Sequence, residues 1–184
     1  MDIQIDVTNV KIETPRLILR YWKESDLDDF YEYAQVKEIG EMAGWKYHES
    51  IEESKQILEQ FMLDKNILAI ELKSNGKVIG SVGFHFSWAN KDEKLKSLKV
   101  KELGYVLSKD YWGNGYMPEA VNATIKYCFE VLELDALTVG HFLNNMQSKR
   151  VIEKCGFEYV KQGEFFSPSL NKTFAEKSYI LYRK

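Results

Sequence analysis

The sequence predicts a mixed α/β fold, an α+β sheet with an antiparallel front half and one central strand–helix–strand crossover. Three observations carry this. The runs 67–72 and 77–86 are strand-like and meet at Asn75-Gly76, the strongest short hairpin signal available. A strand at 103–107, a two-glycine turn, an apolar helix and the β-rich run 136–142 follow one another as a crossover unit. Residues 157–166 and 173–182 then form a last antiparallel pair around Ser167-Pro168.

Taken in order, residues 16–22 alternate as a strand does. Ser25 reads as an N-cap, with Leu27, Phe30, Tyr31 and Ala34 on one helical face. Residues 36–47 contain Gly40 and Gly44 and read as an irregular connection. Ser50-Ile-Glu-Glu53 has the capping-box form and opens a helix that runs to about Leu63. After the hairpin, 87–99 is lysine-rich, poor in apolar residues, and read as a solvated loop. The helix 116–132 carries apolar or small residues on most sides, which predicts burial on more than one face. Asn145 begins a fourth helix, with Ser148, Val151, Ile152 and Cys155 on one face and Gly156 as its C′ stop. The order is β-α-α-β-β-β-α-β-α-β-β, without internal repeat, and 1–184 is read as one domain with its core at about 14–182.

Composition excludes several classes. At 45% apolar and 14% aromatic residues the chain is globular rather than disordered. A net charge of −3 argues against a nucleic-acid partner, which usually meets a basic excess. Two cysteines, Cys128 and Cys155, make no disulfide framework and favour a reducing, cytoplasmic setting. The first residues have neither a basic nor an apolar signal region, and no apolar run approaches ~20 residues, so no membrane span is expected. No His/Cys/carboxylate cluster has metal spacing.

The stretch Glu102-Leu-Gly-Tyr-Val-Leu-Ser-Lys-Asp-Tyr-Trp-Gly-Asn-Gly-Tyr-Met-Pro-Glu-Ala120 carries the chemistry. Gly113 and Gly115 allow a tight turn and a close backbone approach to a ligand. The helix that follows offers unpaired N–H groups and its positive dipole end, and Pro118 fits its first turn. This is an anion site, and a phosphate-bearing ligand follows from it. Strand–glycine turn–helix is also ordinary punctuation. The segment lacks the Gly-Lys-Ser/Thr of a P-loop, and Pro118 stands where a dinucleotide fingerprint wants glycine.

Trp112-Gly-Asn-Gly-Tyr-Met-Pro-Glu-Ala120, Asn145-Met-Gln-Ser-Lys-Arg-Val-Ile-Glu-Lys-Cys-Gly-Phe157 and the order of elements together resemble the GNAT acetyltransferases. Thr14-Pro-Arg-Leu-Ile-Leu-Arg20 is similar to the branch of ribosomal-protein N-terminal acetyltransferases, the RimJ/RimL-like enzymes. The resemblance implies a mostly antiparallel, twisted sheet with a splayed parallel central pair and about four helices. It implies acetyl-CoA as co-substrate, its pantetheine arm lying between Val106-Leu107 and the strand 136–142. The N–H groups of Trp112, Gly113, Asn114, Gly115 and Tyr116 would hold the pyrophosphate. Asn145 matches a position that contacts the pantetheine, and Ser148 one close to the thioester sulfur. Lys109, Lys149 and Arg150 are candidate phosphate partners, and each also reads as solvated surface charge. Three features depart from the family: Asp110 is acidic and should point away, Ile152 replaces a frequent tyrosine acid, and 87–99 is longer than usual. Self-association as a homodimer stays open.

Acetyl transfer needs a neutral amine, a base, an oxyanion donor and a leaving thiolate. Glu102 shares a strand face with Gly104 and Val106 and is the candidate base, acting through a water. The backbone near Val106 is the expected oxyanion donor. Ser148 is a candidate proton relay to sulfur, although both it and Asn145 also suit a helix cap. His85 and His141 sit on strands where either could face the cleft. No Ser/His/Asp arrangement is legible, so direct attack without an acetyl-enzyme is expected. The acceptor is an amine, with a peptide N-terminus favoured because α-amines titrate below lysine side chains. Glu38, Glu41, Trp45, Tyr47, Glu49, Glu52 and Glu53 form an acidic and aromatic segment suited to a cationic acceptor. A polyamine or aminoglycoside-like acceptor, a non-catalytic acyl-CoA sensor and, from the lysines of 87–99 alone, a nucleic-acid binder are the rival readings.

Overall fold

The computed structural model describes all 184 residues. In chain order it contains β1 (Lys11–Glu13), β2 (Leu17–Tyr21), α1 (Leu27–Ala34), α2 (Lys37–Ala43), α3 (Ile51–Asp64), β3 (Ile67–Leu72), β4 (Val78–His85), β5 (Val100–Leu107), α4 (Tyr116–Glu130), β6 (Ala136–Phe142), α5 (Met146–Lys154), β7 (Glu158–Ser167) and β8 (Lys172–Tyr182). The strands make one eight-stranded sheet in the order β1-β2-β3-β4-β5-β6-β8-β7. Only β5 and β6 run parallel. Their pairing starts at Val100↔Ala136 and stops at Leu103↔Val139, although both strands continue to Leu107 and Phe142. Beyond that point the sheet is split, and Gly104–Leu107 faces no β6 partner.

Strand alternation sends side chains to two faces. On one face α4 and α5 cover Leu17, Leu19, Leu68, Ile70, Val82, Phe84, Leu103, Leu137 and Val139, the larger core. On the other, α1–α3 bury Trp22, Phe30, Tyr33, Ile39 and Leu58 against Ala69 and Val78. α3 is capped as its sequence predicts, the Ser50 hydroxyl accepting from Glu53 N–H at 3.2 Å. The β3–β4 hairpin turns at Gly76, with φ of 73°.

Several expectations are corrected. Residues 37–43 form α2 rather than an irregular connection. Gly40 does not break that helix. It lets the helix rest on the next segment, where a Cβ would lie 2.6 Å from the Trp45 carbonyl oxygen. Ser25 caps nothing: it lies within a single 3-10 turn, and Asp26 does the local work by accepting from Lys23 N–H and pairing with Arg20. Ahead of the first expected strand, β1 folds back on β2. The fully buried residues of α4 are Met117, Ala120, Val121, Thr124 and Cys128, one stripe at three- and four-residue spacing, so the helix buries one face with half-buried flanks. No helix is long and apolar enough to cross a membrane.

Candidate active site

The split between β5 and β6 opens into a cavity of about 680 Å³. One end is the loop between β5 and α4. There Gly113 and Gly115 both hold φ of 77°, a region that costs any residue with a Cβ about 1–2 kcal/mol. The N–H groups of Gly113, Asn114, Gly115, Tyr116 and Met117 have no partner within the protein, and they line up at the start of α4. Trp112 is different: its N–H donates to Lys109 O at 3.1 Å, and its indole N–H donates to Leu107 O at 2.9 Å. The expected cradle therefore starts one residue later, with Trp112 as its wall.

The loop is braced from the other end of the chain. Arg16 donates through Nη1 to Asn114 O at 2.9 Å and through Nε to Glu119 Oε2 at 2.7 Å, and its guanidinium lies 4.2 Å from the Tyr116 ring centre. Thr14 Oγ1 donates to the other Glu119 oxygen at 2.6 Å. Burial alone would raise the Glu119 pKa, but these bonds outweigh it and hold the carboxyl below its ordinary value. Because the peptide is trans and planar, pinning the Asn114 carbonyl to Arg16 turns the Gly115 N–H the opposite way.

Ladder geometry decides which amides face the split. Ser108 N–H donates to Ile79 O at 2.7 Å, and the register continues as Leu107↔Gly80 and Val106↔Ser81. Alternate residues of an antiparallel pair exchange bonds, so Val106 directs its N–H and C=O to β4. The expectation of Val106 as oxyanion donor is thereby corrected. Tyr105 and Leu107 turn their amides toward the split, while the Val106 side chain lines the cavity.

On the α5 side, Asn145 accepts from Ser148 N–H at 3.0 Å and donates to Met42 O at 3.2 Å, so it caps α5 and ties it to α2. The Ser148 hydroxyl lies 2.9 Å from the Tyr105 hydroxyl. Burial raises the Tyr105 pKa, and it stays protonated at any working pH. On the opposite face Glu102 accepts from Thr138 Oγ1 at 3.2 Å. Burial first, and then the nearby Glu176 carboxylate, push its pKa up to about 7. His85 stands across the ladder from Glu102, its ring lying over Gly83 and Gly104, where a Cβ would come within 2.8 and 2.9 Å of Nε2. Burial and then Lys101 lower its pKa, which keeps the imidazole neutral.

Residues 16–158 match the family described as acetyltransferase (GNAT) domain. The chain belongs to the GNAT acetyltransferases. An uncharacterized N-acetyltransferase of Bacillus subtilis, YoaA, is 28% identical over 152 residues, 80% of this chain and 82% of that protein. The microcin C7 self immunity acetyltransferase MccE, solved with acetyl-CoA and AMP, superposes with a TM-score of 0.77 at 20% identity, covering 92% of this chain and 94% of that one. A ribosomal-protein-S5-alanine acetyltransferase from Vibrio fischeri gives 0.66 at 22% identity, over 92% and 96%. As a GNAT acetyltransferase this protein is an acetyl-CoA-dependent acyltransferase, and the split sheet with its row of free amides suits an acyl thioester carrying a diphosphate.

Of the candidates expected from the sequence, Glu102, Val106, Leu107, Trp112, Gly113, Gly115, Tyr116, Asn145 and Ser148 line the GNAT cavity from its two faces, and Asn114 does not. Other candidates lie apart. Lys109 is paired with Glu38, Lys149 lies 3.6 Å from Glu153, and Asp110 is exposed. His141, by contrast, does line the cavity, but both its ring nitrogens are engaged, by Phe142 O and the Tyr179 hydroxyl. Of the acidic and aromatic residues singled out in 38–53 only Trp45 lines the cavity, beside Ile39, Met42 and Ala43, while Glu38, Glu41 and Glu49 pair with Lys109, Lys37 and Lys46. Neither cysteine lines it. Sequence reasoning missed Tyr105, Arg16 and Glu176. The motif around Thr14 contained the signal for Arg16, and an Arg-Glu pair 103 residues apart has no signal in one sequence.

Proposed function

We propose that this enzyme moves the acetyl group of acetyl-CoA directly to a primary amine, with the α-amine of a peptide or protein N-terminus as acceptor. The observation that carries the reading is a single passage through the sheet with free amides at one end, Tyr105 and Ser148 on one face, and Glu102 on the other. The amides of Gly113 to Tyr116 bind the pyrophosphate, and the pantetheine arm replaces the missing β6 partner along Gly104–Leu107. An ammonium entering from the Glu102 face gives up a proton to that carboxylate through a water. With Glu102 at about 7, an α-amine near 7.7–8.0 costs about one pKa unit and a lysine near 10.4 more than three, or about 1.4 against over 4 kcal/mol. That difference favours the α-amine, in keeping with the RimJ/RimL-like character of Thr14–Arg20.

The amine lone pair then attacks the thioester carbon. Charge developing on the carbonyl oxygen meets the Leu107 or Tyr105 amide, which is already fixed in place. The C–S bond breaks, the leaving thiolate is stabilised by a hydrogen bond from the Ser148 hydroxyl, which lies 2.9 Å from the Tyr105 hydroxyl, and the thiolate takes up, through water, the second proton that the nitrogen sheds as the amide forms. A thiol titrates near 8.5, so a hydrogen-bond donor at this position is sufficient and no strong acid is needed. The buried Cys155, its pKa pushed up to about 11, lies away from the cavity, in keeping with direct transfer. The test is thiol release from acetyl-CoA with peptides bearing free or blocked N-termini, alongside calorimetry with coenzyme A. Release with free N-termini only is the expected result. Binding of acetyl-CoA with no release from any amine would leave an acyl-CoA sensor as the better account.

A further inference from the structure

Glu176 has no part in the steps above. It lies on β8, and its side chain folds across β6 so closely that a Cβ on Gly140 would be 2.3 Å from Glu176 Oε1. Its carboxylate lines the cavity, and no hydrogen bond or ion pair within the protein engages it. Burial raises its pKa, and its charge in turn raises that of Glu102. The positions can be compared on β6. Glu102 is bonded to Thr138 and Glu176 lies over Gly140, two residues along the same face, which places the two carboxyls about 7 Å apart.

The surroundings give these charges nothing to pair with. No lysine or arginine is among the 33 residues lining the cavity. The acceptor side is walled instead by Trp45, Phe61, Phe86, Phe142 and Phe165. Lys161 acts on Glu102 only weakly through its charge, and its ammonium is turned onto the Trp88 ring at 4.2 Å. Two carboxylates held in an aromatic enclosure without a cation are costly, and a ligand that brings positive charge removes that cost.

We propose that Glu176 and Glu102 form a two-point cation site, so that the preferred acceptor carries, on an apolar body, a second positive charge about 7 Å from the amine that is acetylated. The inference rests on the acetyl-transfer reading of the same cavity. The reacting ammonium yields its proton to Glu102 and the second cation stays charged against Glu176. Two sources supply this chemistry: an α,ω-diamine, or a basic side chain at the first residue of a peptide. A carboxylate near the amine is rejected.

The experiment measures thiol release from acetyl-CoA with two series. One compares butane-1,4-diamine with butylamine. The other compares amidated dipeptides that begin with Lys, norleucine or Glu. In the wild-type protein the dication is expected to exceed its monocationic isostere in kcat/KM by roughly 10-fold or more in at least one series, and the series that shows it names the source. Glu176→Gln is expected to bring that ratio close to one, with acetyl-CoA affinity unchanged by calorimetry. Equal kcat/KM for dication and monocation in both wild-type series would overturn the inference, whatever the variant does. So would a preference that survives in Glu176→Gln. Turnover without preference sinks this inference alone, whereas no release with any amine sinks the transfer reading beneath it.

Discussion

The two ends of the cavity are built from different material. At the end proposed for the cofactor the free groups are main chain: five consecutive amides without a protein partner, from Gly113 to Met117, in a turn that two glycines permit. At the acceptor end they are side chains from segments far apart in sequence: Trp45, Phe86, Glu102, Phe165 and Glu176. A main-chain cradle recognises what all its ligands share, a diphosphate, and tolerates much side-chain change provided the turn is kept. A side-chain pocket recognises whatever its few residues happen to be. One end can therefore stay the same while the other is altered one substitution at a time.

Substitutions should separate the two ends. Gly115→Trp is expected to have the largest effect. A large residue is forced into a left-handed conformation and into the cradle, and acetyl-CoA affinity falls by about 100-fold or more. Unchanged affinity by calorimetry would remove the cradle from the account. Glu102→Gln should leave that affinity alone and lower kcat by roughly 100-fold, the lower part of the range for a lost general base. The wild-type rate should rise with pH through about 7, where Glu102 ionises, and the variant should lack that limb.

The same substitution makes a stability prediction. The folded pKa of Glu102 is raised from the ordinary 4.5 to about 7, so its favourable contribution is present below about 4.5 and lost as pH rises through about 7. Glu102→Gln should accordingly raise Tm at pH 8, by the equivalent of up to about 3 kcal/mol, and leave it unchanged at pH 4. Equal melting curves at both pH values would show that the carboxylate is not desolvated.

Smaller effects lie at the junction. Tyr105→Phe is expected to lower kcat about 10-fold with the KM for acetyl-CoA unchanged. Combined with Ser148→Ala it should cost less than the sum of the two, because both removals break one hydrogen-bonded pair. Additive losses would mean that the two hydroxyls act separately. Arg16→Ala should weaken acetyl-CoA binding about 10-fold by releasing the Asn114 carbonyl, leaving kcat at saturating cofactor unaffected. A change in kcat alone would place Arg16 at the wrong end of the cavity.

The difference between the ends also explains what could be read in advance. The glycine turn, the Asn145 cap and the strand that carries Glu102 are local patterns, set by residues within a few positions of each other. The hairpin at Gly76 and the α3 cap are legible for the same reason. α2 was hidden by Gly40, whose purpose is a contact with Trp45 that no local rule contains. The acidic segment 38–53 looked like the cation site. Glu38, Glu41 and Glu49 are paired with lysines, however, none of the segment's carboxylates lines the cavity, and Glu176, which does, arrives on β8.

By itself, then, the sequence determined the fold class, the strand–glycine turn–helix unit and the family, but not β1 or α2, because the first three rest on backbone conformation and on spacing along the chain. Tertiary structure alone decided which amides face the gap, which carboxylates are left without a cation, and which hydroxyl stands behind Ser148. Those outcomes depend on where β5 parts from β6 and on which side chains meet across the sheet. Both follow from packing among segments up to about a hundred residues apart, as in the Arg16–Glu119 contact.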